Sequence, residues 1–157
     1  MISASGAKAP DMLIPISLEN DWPTVDDVVD SILEQHTNYG LTGFMLACPS
    51  GGWRSLGYLS KSDFKRLAEA FKAVKARLAG RGFALGWWNT LTIKSGGSAD
   101  FTPIVKSDGT SHPFASCPLC ESFASRFASD IAAFSRIAKP DFIIFEDDFA
   151  INSAAGG

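Results

Sequence analysis

The chain has 157 residues, of which 46% are hydrophobic and 20% charged, which is enough for one globular core and too short for two ordinary domains. Its net charge of -3 at pH 7, with no cluster of Lys and Arg beside aromatic residues, argues against nucleic acid as a partner. No apolar run approaches the roughly 20 residues that span a bilayer, so we expect no membrane partner.

The N-terminal segment and the cysteine count bear on the cell compartment. Residues 1–10 lack the apolar core of a signal peptide, and we interpret them as a flexible leader before a single domain over residues 11–157. Cys48, Cys117 and Cys120 are an odd number and cannot form a complete disulfide framework. The lack of a signal peptide in this segment and the odd number of cysteines favour the cytoplasm, and the sequence does not otherwise assign a compartment.

Cys117 and Cys120 are spaced as in half of a zinc site, and His112 precedes them. A second Cys-x-x-Cys or a pair of histidines at metal-binding spacing would be needed to complete the site, and the sequence has neither. We therefore predict no metal and no cofactor. The two cysteines are interpreted as small, semi-buried residues at a loop-to-helix junction.

Strand-like and helix-like patterns alternate along the chain, which is typical of β/α units around a parallel sheet. The first strand is predicted over residues 11–18, where Pro15 is irregular for a central strand. The first helix begins after Thr24, an N-cap residue with Asp27 three positions on, and ends at Gly40. Its predicted inner face consists of Val25, Val28, Val29, Ile32 and Leu33.

The next units repeat this pattern. A strand over residues 41–47 leads to a helix over residues 62–79, and a third strand is predicted over residues 83–88. The second helix places Phe64, Leu67, Phe71, Val74 and Leu78 on its inner face, and the third places Phe123, Phe127, Ile131 and Phe134 there. Pro140 ends the turn after the third helix and admits a fourth strand.

The connections differ in length on the two edges of the predicted sheet. Those from helix to strand are short, whereas those from strand to helix are long, over about residues 48–61 and 89–118. Ligands of α/β folds bind at the carboxyl ends of the strands, where the long connections lie. No Gly-rich dinucleotide or phosphate motif follows any strand, so the sequence favours another kind of ligand at this edge.

Aromatic, amide and charged residues cluster at the predicted strand ends. Aromatic rings stack on sugar rings while carboxylates, amides and guanidinium groups bond the hydroxyls, so this mixture favours a carbohydrate. One of the two adjacent tryptophans is expected to fill the core instead. The predicted substrate-binding residues are Glu19, Trp53, Arg54, Trp87, Trp88 and Asn89.

Residues 140–149, PDFIIFEDDF, are an apolar run that ends in three carboxylates. Three adjacent negative charges repel one another, so a ligand, a metal or a shared proton commonly offsets the cost. If Ile143 and Phe145 pack on the helices, Glu146 and Asp148 face the other side of the sheet. Glycoside hydrolysis needs two carboxyl groups roughly 5 to 9 Å apart, and the second would normally come from another strand.

The chain resembles the N-terminal half of a β/α (TIM) barrel glycoside hydrolase from about Met12 to the end. The resemblance is carried by residues 86–89 (GWWN), 117–119 (CPL) and 141–149 (DFIIFEDDF). It implies half of a TIM barrel, a glycosidase that hydrolyses O-glycosidic bonds and is inactive as this fragment alone, and a catalytic carboxylate at the end of the fourth strand. The catalytic candidates are then Glu146, Asp147 and Asp148.

Four β/α units are half of a closed barrel, which typically takes about 250 residues. Either a C-terminal half barrel completes the sheet, or two copies meet as a homodimer. Two other functions stay open. The three carboxylates of residues 146–148 would hold Mg²⁺ or Mn²⁺ in a barrel isomerase or lyase, or the half barrel would be a non-catalytic carbohydrate-binding or assembly module.

Overall fold

We describe the fold from a computed structural model, over residues 14–17, 24–49 and 57–146. No helix in these ranges combines the length and the apolar character needed to cross a membrane. The elements in chain order are β1 (Ile14–Ser17), α1 (Val25–Tyr39), β2 (Gly43–Cys48), α2 (Lys61–Arg77), β3 (Ala84–Asn89), β4 (Pro103–Val105), β5 (Ser111–Ser116), α3 (Glu121–Ala138) and β6 (Phe142–Phe145).

The main sheet has four parallel strands in the order β1, β2, β3, β6, which confirms the predicted α/β class with parallel strands. Among these four strands the spatial order follows the chain order, so each helical connection moves one step in the same direction. Parallel crossovers are right-handed in nearly all proteins, and successive steps in one direction place their helices on one face of the sheet.

One core joins this helical face to the sheet. Alternate strand residues point into it, as Phe44 and Leu46 of β2 and Leu85 and Trp87 of β3 do, because side chains of a strand alternate between its faces. All three described helices contribute to this core. The residues of the predicted inner faces are buried in it or packed against it, except Phe123, which is buried in a second, smaller cluster with Ile93, Phe101 and Cys120; this confirms the helical periodicity. The buried helical residues include Val28, Ile32, Phe64, Leu67, Phe71, Val74 and Phe134.

Helix α1 begins and ends where the sequence predicts. The Thr24 hydroxyl accepts from the Asp27 N–H at 3.2 Å, and the Asp27 carboxylate accepts from the Thr24 N–H at 3.2 Å. This reciprocal capping box satisfies two backbone donors that a helix start leaves free. Gly40 ends the helix with φ of 68°, a left-handed conformation that glycine adopts without steric cost.

The sheet strands are close to their predicted positions. β1 lies within the predicted residues 11–18, of which 11–13 and 18 fall outside the described ranges. It pairs only with β2 among the described strands, so within them Pro15 is in an edge strand, where a sheet tolerates proline. The predicted fourth strand is β6, which coincides with the apolar run Phe142–Phe145.

The long connection after β3 was predicted without internal structure, and it contains an antiparallel hairpin of β4 and β5. Its turn holds Asp108, whose carboxylate accepts from the Thr110 N–H at 2.8 Å, and Gly109 with φ of 82°. Asp-Gly is a strong hairpin signal, but β4 has three residues and shows no periodicity that would expose it as a strand.

Candidate functional site

The carboxyl ends of the sheet strands form the edge at which the sequence predicts a ligand. Cys48 of β2 is in register with Asn89 of β3, and Asn89 is in register with Phe145 of β6. The Glu146 N–H then donates to the Asn89 carbonyl at 3.0 Å. The first of the three predicted catalytic carboxylates is thereby fixed, through its backbone, beside the end of β3.

Side-chain alternation along β6 follows the predicted pattern. Ile143 packs against the core, and the Phe145 ring lies 6.5 Å from the Phe127 ring of α3, so this parity faces the helices. Phe142 and Ile144 have the opposite parity, and alternation assigns Glu146 to the same side. Glu146 is partly buried.

Trp87, one of the predicted substrate-binding residues, lies in the core. Its exposed fraction is 0%, and its ring stacks on Phe134 of α3 with centroids 3.7 Å apart. Its indole N–H donates to the Cys48 carbonyl at 2.9 Å, which satisfies the buried donor and links the ends of β2 and β3. Since the ring is enclosed on the helical face, this geometry does not support stacking of Trp87 on a sugar.

Asn89, a second predicted substrate-binding residue, uses its amide within its own loop. The side chain is fully buried, its NH₂ donates to the Leu91 carbonyl at 3.3 Å, and its carbonyl accepts from the Leu91 N–H at 3.3 Å. Both ends of the amide are thus engaged by the chain that leaves β3. Asn89 shapes the edge of the sheet, and its placement does not support direct contact with a ligand.

Trp88 has the parity opposite to Trp87 and is half-buried on the other face of the sheet. It is in register with Ile144, and the neighbouring Phe142 ring lies across Gly86, where a Cβ would meet the ring Cε2 at 1.9 Å. Of the two described tryptophans, Trp88 is therefore the one whose ring lies away from the helical core. It remains the better candidate for contact with a ligand.

The other predicted site residues lie outside the described ranges. They are Glu19, Trp53, Arg54, Asp147 and Asp148. The structure therefore brings together Trp87, Trp88, Asn89 and Glu146 at neighbouring ends of β3 and β6, and divides them between the two faces.

The segment after β3 contains ordered polar residues that sequence reasoning missed. The Thr90 hydroxyl donates to the Pro49 carbonyl, a second link between the ends of β2 and β3. The Ser95 hydroxyl accepts from the Thr92 N–H at 2.5 Å, and both side chains are fully buried. The Thr92–Ser95 bond is local but has no sequence period, and the Thr90–Pro49 bond joins distant residues, so hydrophobic periodicity predicts neither.

A buried ionic group lies between α3 and the segment before α2. Arg126 donates to Asp130 at 2.6 Å and to the Leu59 carbonyl at 3.0 Å, and its guanidinium carbon lies 5.5 Å from the Tyr58 ring centroid. Burial, with the Asp130 charge next, raises the pKa of Tyr58 above its usual range. The i, i+4 spacing of Arg126 and Asp130 was a visible signal for this pair.

The cysteines are placed as the sequence predicts, at a loop-to-helix junction. Cys117 is half-buried, and Cys120 is 9% exposed and is the N-cap residue of α3. Cys48 lies in the main core, where burial raises the pKa of its thiol. Within the described ranges, no three or more His, Cys, Asp and Glu residues are grouped so that they could hold a metal ion.

Comparison with family models, with curated proteins and with solved structures gave no significant match to this chain. The resemblance to half of a β/α-barrel glycoside hydrolase therefore rests on the residues quoted for it and stays a prediction.

Proposed function

We propose that the chain forms the first four β/α units of a TIM-barrel glycoside hydrolase, with a catalytic carboxylate among Glu146, Asp147 and Asp148. The observation that carries this proposal is the winding of the sheet. Strand order equals chain order, and one core takes in all three described helices. A doubly wound sheet reverses its strand order at a switch point and has helices on both faces, whereas a barrel progresses in one direction with an outer ring of helices.

The face of the sheet away from the helices supports the same proposal. The strand residues of that parity include Met45, Ala47, Trp88, Phe142 and Ile144. None of the described helices packs there, yet the side chains are apolar and buried or half-buried. The inside of a barrel is filled by layers of side chains from its strands, which would account for this composition. We propose that a second set of β/α units covers this face.

The position of Glu146 supports the catalytic part. In TIM-barrel enzymes the active site is at the carboxyl ends of the strands, and Glu146 directly follows β6, with its backbone bonded to the end of β3. Half-buried Trp88 shares its side of the sheet by parity. A carboxyl group beside an aromatic ring at this edge suits protonation of a glycosidic oxygen with the sugar stacked nearby.

The proposal is tested by measuring hydrolysis of a panel of aryl glycosides by the full chain. Light scattering at the same protein concentration determines whether the chain is a monomer or a dimer in the assay. Glu146→Gln, Asp147→Asn and Asp148→Asn would be compared with Glu69→Gln. Glu69 is an exposed carboxylate on α2 that forms an ion pair with Lys72 on the same helix. It lies away from the carboxyl edge of the sheet and is therefore a matched control. Loss of acid or base catalysis is expected to lower turnover by about 100-fold or more in at least one of the three variants.

The other results of this experiment separate the alternatives. Wild-type turnover in all three variants would contradict a catalytic carboxylate at this edge. Saturable sugar binding without turnover at any pH would favour a carbohydrate-binding or assembly module. Activity that a chelator abolishes and that Mg²⁺ or Mn²⁺ restores would favour a metal-dependent isomerase or lyase. An absence of both binding and turnover in a dimer, the state in which two copies would complete a barrel, would contradict the carbohydrate assignment, whereas a half barrel that stays monomeric is expected to be inactive.

A further inference from the structure

Residues 117–120 form a tight turn immediately before α3. The Cys120 N–H donates to the Cys117 carbonyl at 2.9 Å, which closes the turn. Pro118 occupies its second position, where a fixed φ near -65° suits a β-turn. Such a turn holds its first and fourth Cα atoms within about 7 Å, and a disulfide needs Cα atoms about 4.4 to 6.8 Å apart. A β-turn therefore brings the Cα atoms of these two free cysteines into the range that one disulfide spans.

The sulfur of Cys120 lies in surroundings that favour a thiolate. Cys120 is the N-cap of α3, an 18-residue helix whose first N–H groups and dipole stabilise negative charge. Its Sγ accepts from the Thr102 N–H at 3.3 Å, and the Ser122 hydroxyl lies 3.2 Å away. Hydrogen bonds from Ser122 first, then from the backbone of Thr102 and Phe123, lower the pKa of Cys120 to about 6.

Ser122 has one hydroxyl hydrogen and two neighbours. The Asp100 carbonyl lies 2.6 Å from its oxygen and can only accept, so with a neutral thiol the hydroxyl donates to Asp100 and accepts from Cys120. To donate to an ionised Cys120, the hydroxyl would turn its hydrogen from Asp100 to the sulfur. Ser122 is therefore a rotating donor, and the Thr102 N–H is the fixed one.

The turn is open to a reagent from solvent. Leu119, between the two cysteines, is 90% exposed, and Pro118 is exposed as well. Cys117 is half-buried and Cys120 is 9% exposed, while Cys48 is fully buried in the main core. The chain thus places a half-buried thiol and a thiol at the edge of a small apolar cluster in one exposed turn, and a third thiol in the main core.

We propose that Cys117 and Cys120 are a reversible dithiol–disulfide pair that exchanges with small-molecule disulfides. The Cys120 thiolate attacks one sulfur of RS–SR, forming a mixed disulfide and releasing RS⁻. The Cys117 thiolate then attacks the Cys120 sulfur and displaces the second RS⁻. The two cysteines are oxidised by two electrons, one disulfide is reduced to two thiols, and the two cysteine protons pass to the released thiolates.

Oxidation of this pair reaches the neighbouring hairpin. Thr102, the residue before β4, accepts from the Cys117 N–H at 2.7 Å through its carbonyl and donates to the Cys120 sulfur through its N–H. A disulfide removes the negative charge that this N–H stabilises. The redox state of the turn thereby acts on the start of β4, within the long connection that follows β3.

Titration of the full chain with oxidised and reduced glutathione, followed by alkylation and mass spectrometry, tests the proposal. We expect the tryptic peptide over residues 107–126, which holds both cysteines, to lose two hydrogens at one midpoint and to recover them on reduction. Cys48 should stay reduced throughout as the internal control. At pH 7 under reducing conditions, iodoacetamide should label Cys120 at least roughly tenfold faster than Cys48.

Two variants assign the roles of the sulfurs. Cys117→Ser should leave a glutathione adduct on Cys120 that no internal thiol displaces, and Cys120→Ser should form an adduct on Cys117 at least roughly tenfold more slowly. A peptide 107–126 that keeps both thiols in fully oxidised glutathione, or that forms only adducts or cross-links between chains, would overturn the proposal. Because the wild-type titration needs no variant, a folding defect in either substitution does not weaken the test.

Discussion

A carboxylate lies at each end of strand β6, and the two have different bonds to the neighbouring strand β3. At the amino end, Asp141 accepts from the Leu85 N–H at 2.8 Å and from the Lys75 ammonium at 2.6 Å, which ties β6 to β3 and to α2. At the carboxyl end, Glu146 is positioned through its backbone N–H on Asn89, where the long connections lie. In α/β barrels the first edge serves stability and the second carries the chemistry.

The largest loss of stability is expected at the carboxyl edge, where the buried Trp87 ring links the ends of β2 and β3. Trp87→Ala removes a fully buried ring stacked on Phe134, and should lower the free energy of unfolding by about 3 to 5 kcal/mol. Trp88→Ala, its neighbour on the other face, removes a half-buried ring and should cost about 1 to 2 kcal/mol. Urea unfolding of both variants measures the difference, and an equal or reversed ranking would contradict the assignment of the two faces.

The comparison of the two carboxylates is tested directly by Asp141→Ala and Glu146→Ala. Asp141→Ala leaves the partly buried Leu85 N–H without its acceptor and should cost about 2 kcal/mol, mostly from that bond, since exposed ion pairs contribute little. Glu146→Ala keeps the backbone N–H that bonds Asn89 and should cost less than Asp141→Ala. A larger loss for Glu146→Ala would make the carboxyl-edge residue structural and weaken its assignment to catalysis.

How much of this edge the sequence predicts depends on how local each signal is. The capping box of Thr24 and Asp27 involves residues three positions apart, so it is readable without the fold. Helical faces such as that of Phe64 and Phe71 have a period and were also predicted. The assignment of Trp87 and Trp88 to opposite faces follows from strand alternation, but which one enters the core depends on the helices that pack there.

Asn89 and the β4–β5 hairpin show what local patterns do not reveal. An asparagine after a strand suits a ligand site and a turn equally well, and here Leu91, two residues on, takes both ends of its amide. β4 has three residues, too few to show a period, so Asp108 and Gly109 are the local signal for this hairpin. Side chains committed to nearby backbone groups are thus easily mistaken for ligand-binding residues.

A smaller effect is expected where β3 and β6 meet on the face away from the helices. Gly86→Ala places a Cβ 1.9 Å from the Phe142 ring, which must shift, and should cost about 1 to 2 kcal/mol. Gly97→Ala is the matched control, because its Cβ would meet its nearest atom at 3.5 Å, an ordinary contact. Adding Phe142→Ala to Gly86→Ala should remove the clash, so the two substitutions should be strongly non-additive in a double-mutant cycle. Additive costs would place Phe142 away from Gly86.

The smallest effect concerns Cys120, whose pKa is lowered from 9.0 to about 6 in the folded chain. A lowered pKa means that folding favours the thiolate, so this stabilisation is complete above pH 9, declines as the pH falls towards 6 and is absent below it. In reducing buffer, the difference in melting temperature between wild type and Cys120→Ser should therefore widen from pH 6 to pH 9. In a Ser122→Ala background, which lacks the rotating donor, the difference in melting temperature caused by Cys120→Ser should be smaller at pH 9 than in wild type. Ser125 is an exposed serine on the same helix, and a Ser125→Ala background should leave that difference unchanged. A pH-independent difference would show that the Cys120 sulfur is not ionised in the folded chain, and would leave the Thr102 N–H and the start of α3 without the charge they are placed to stabilise.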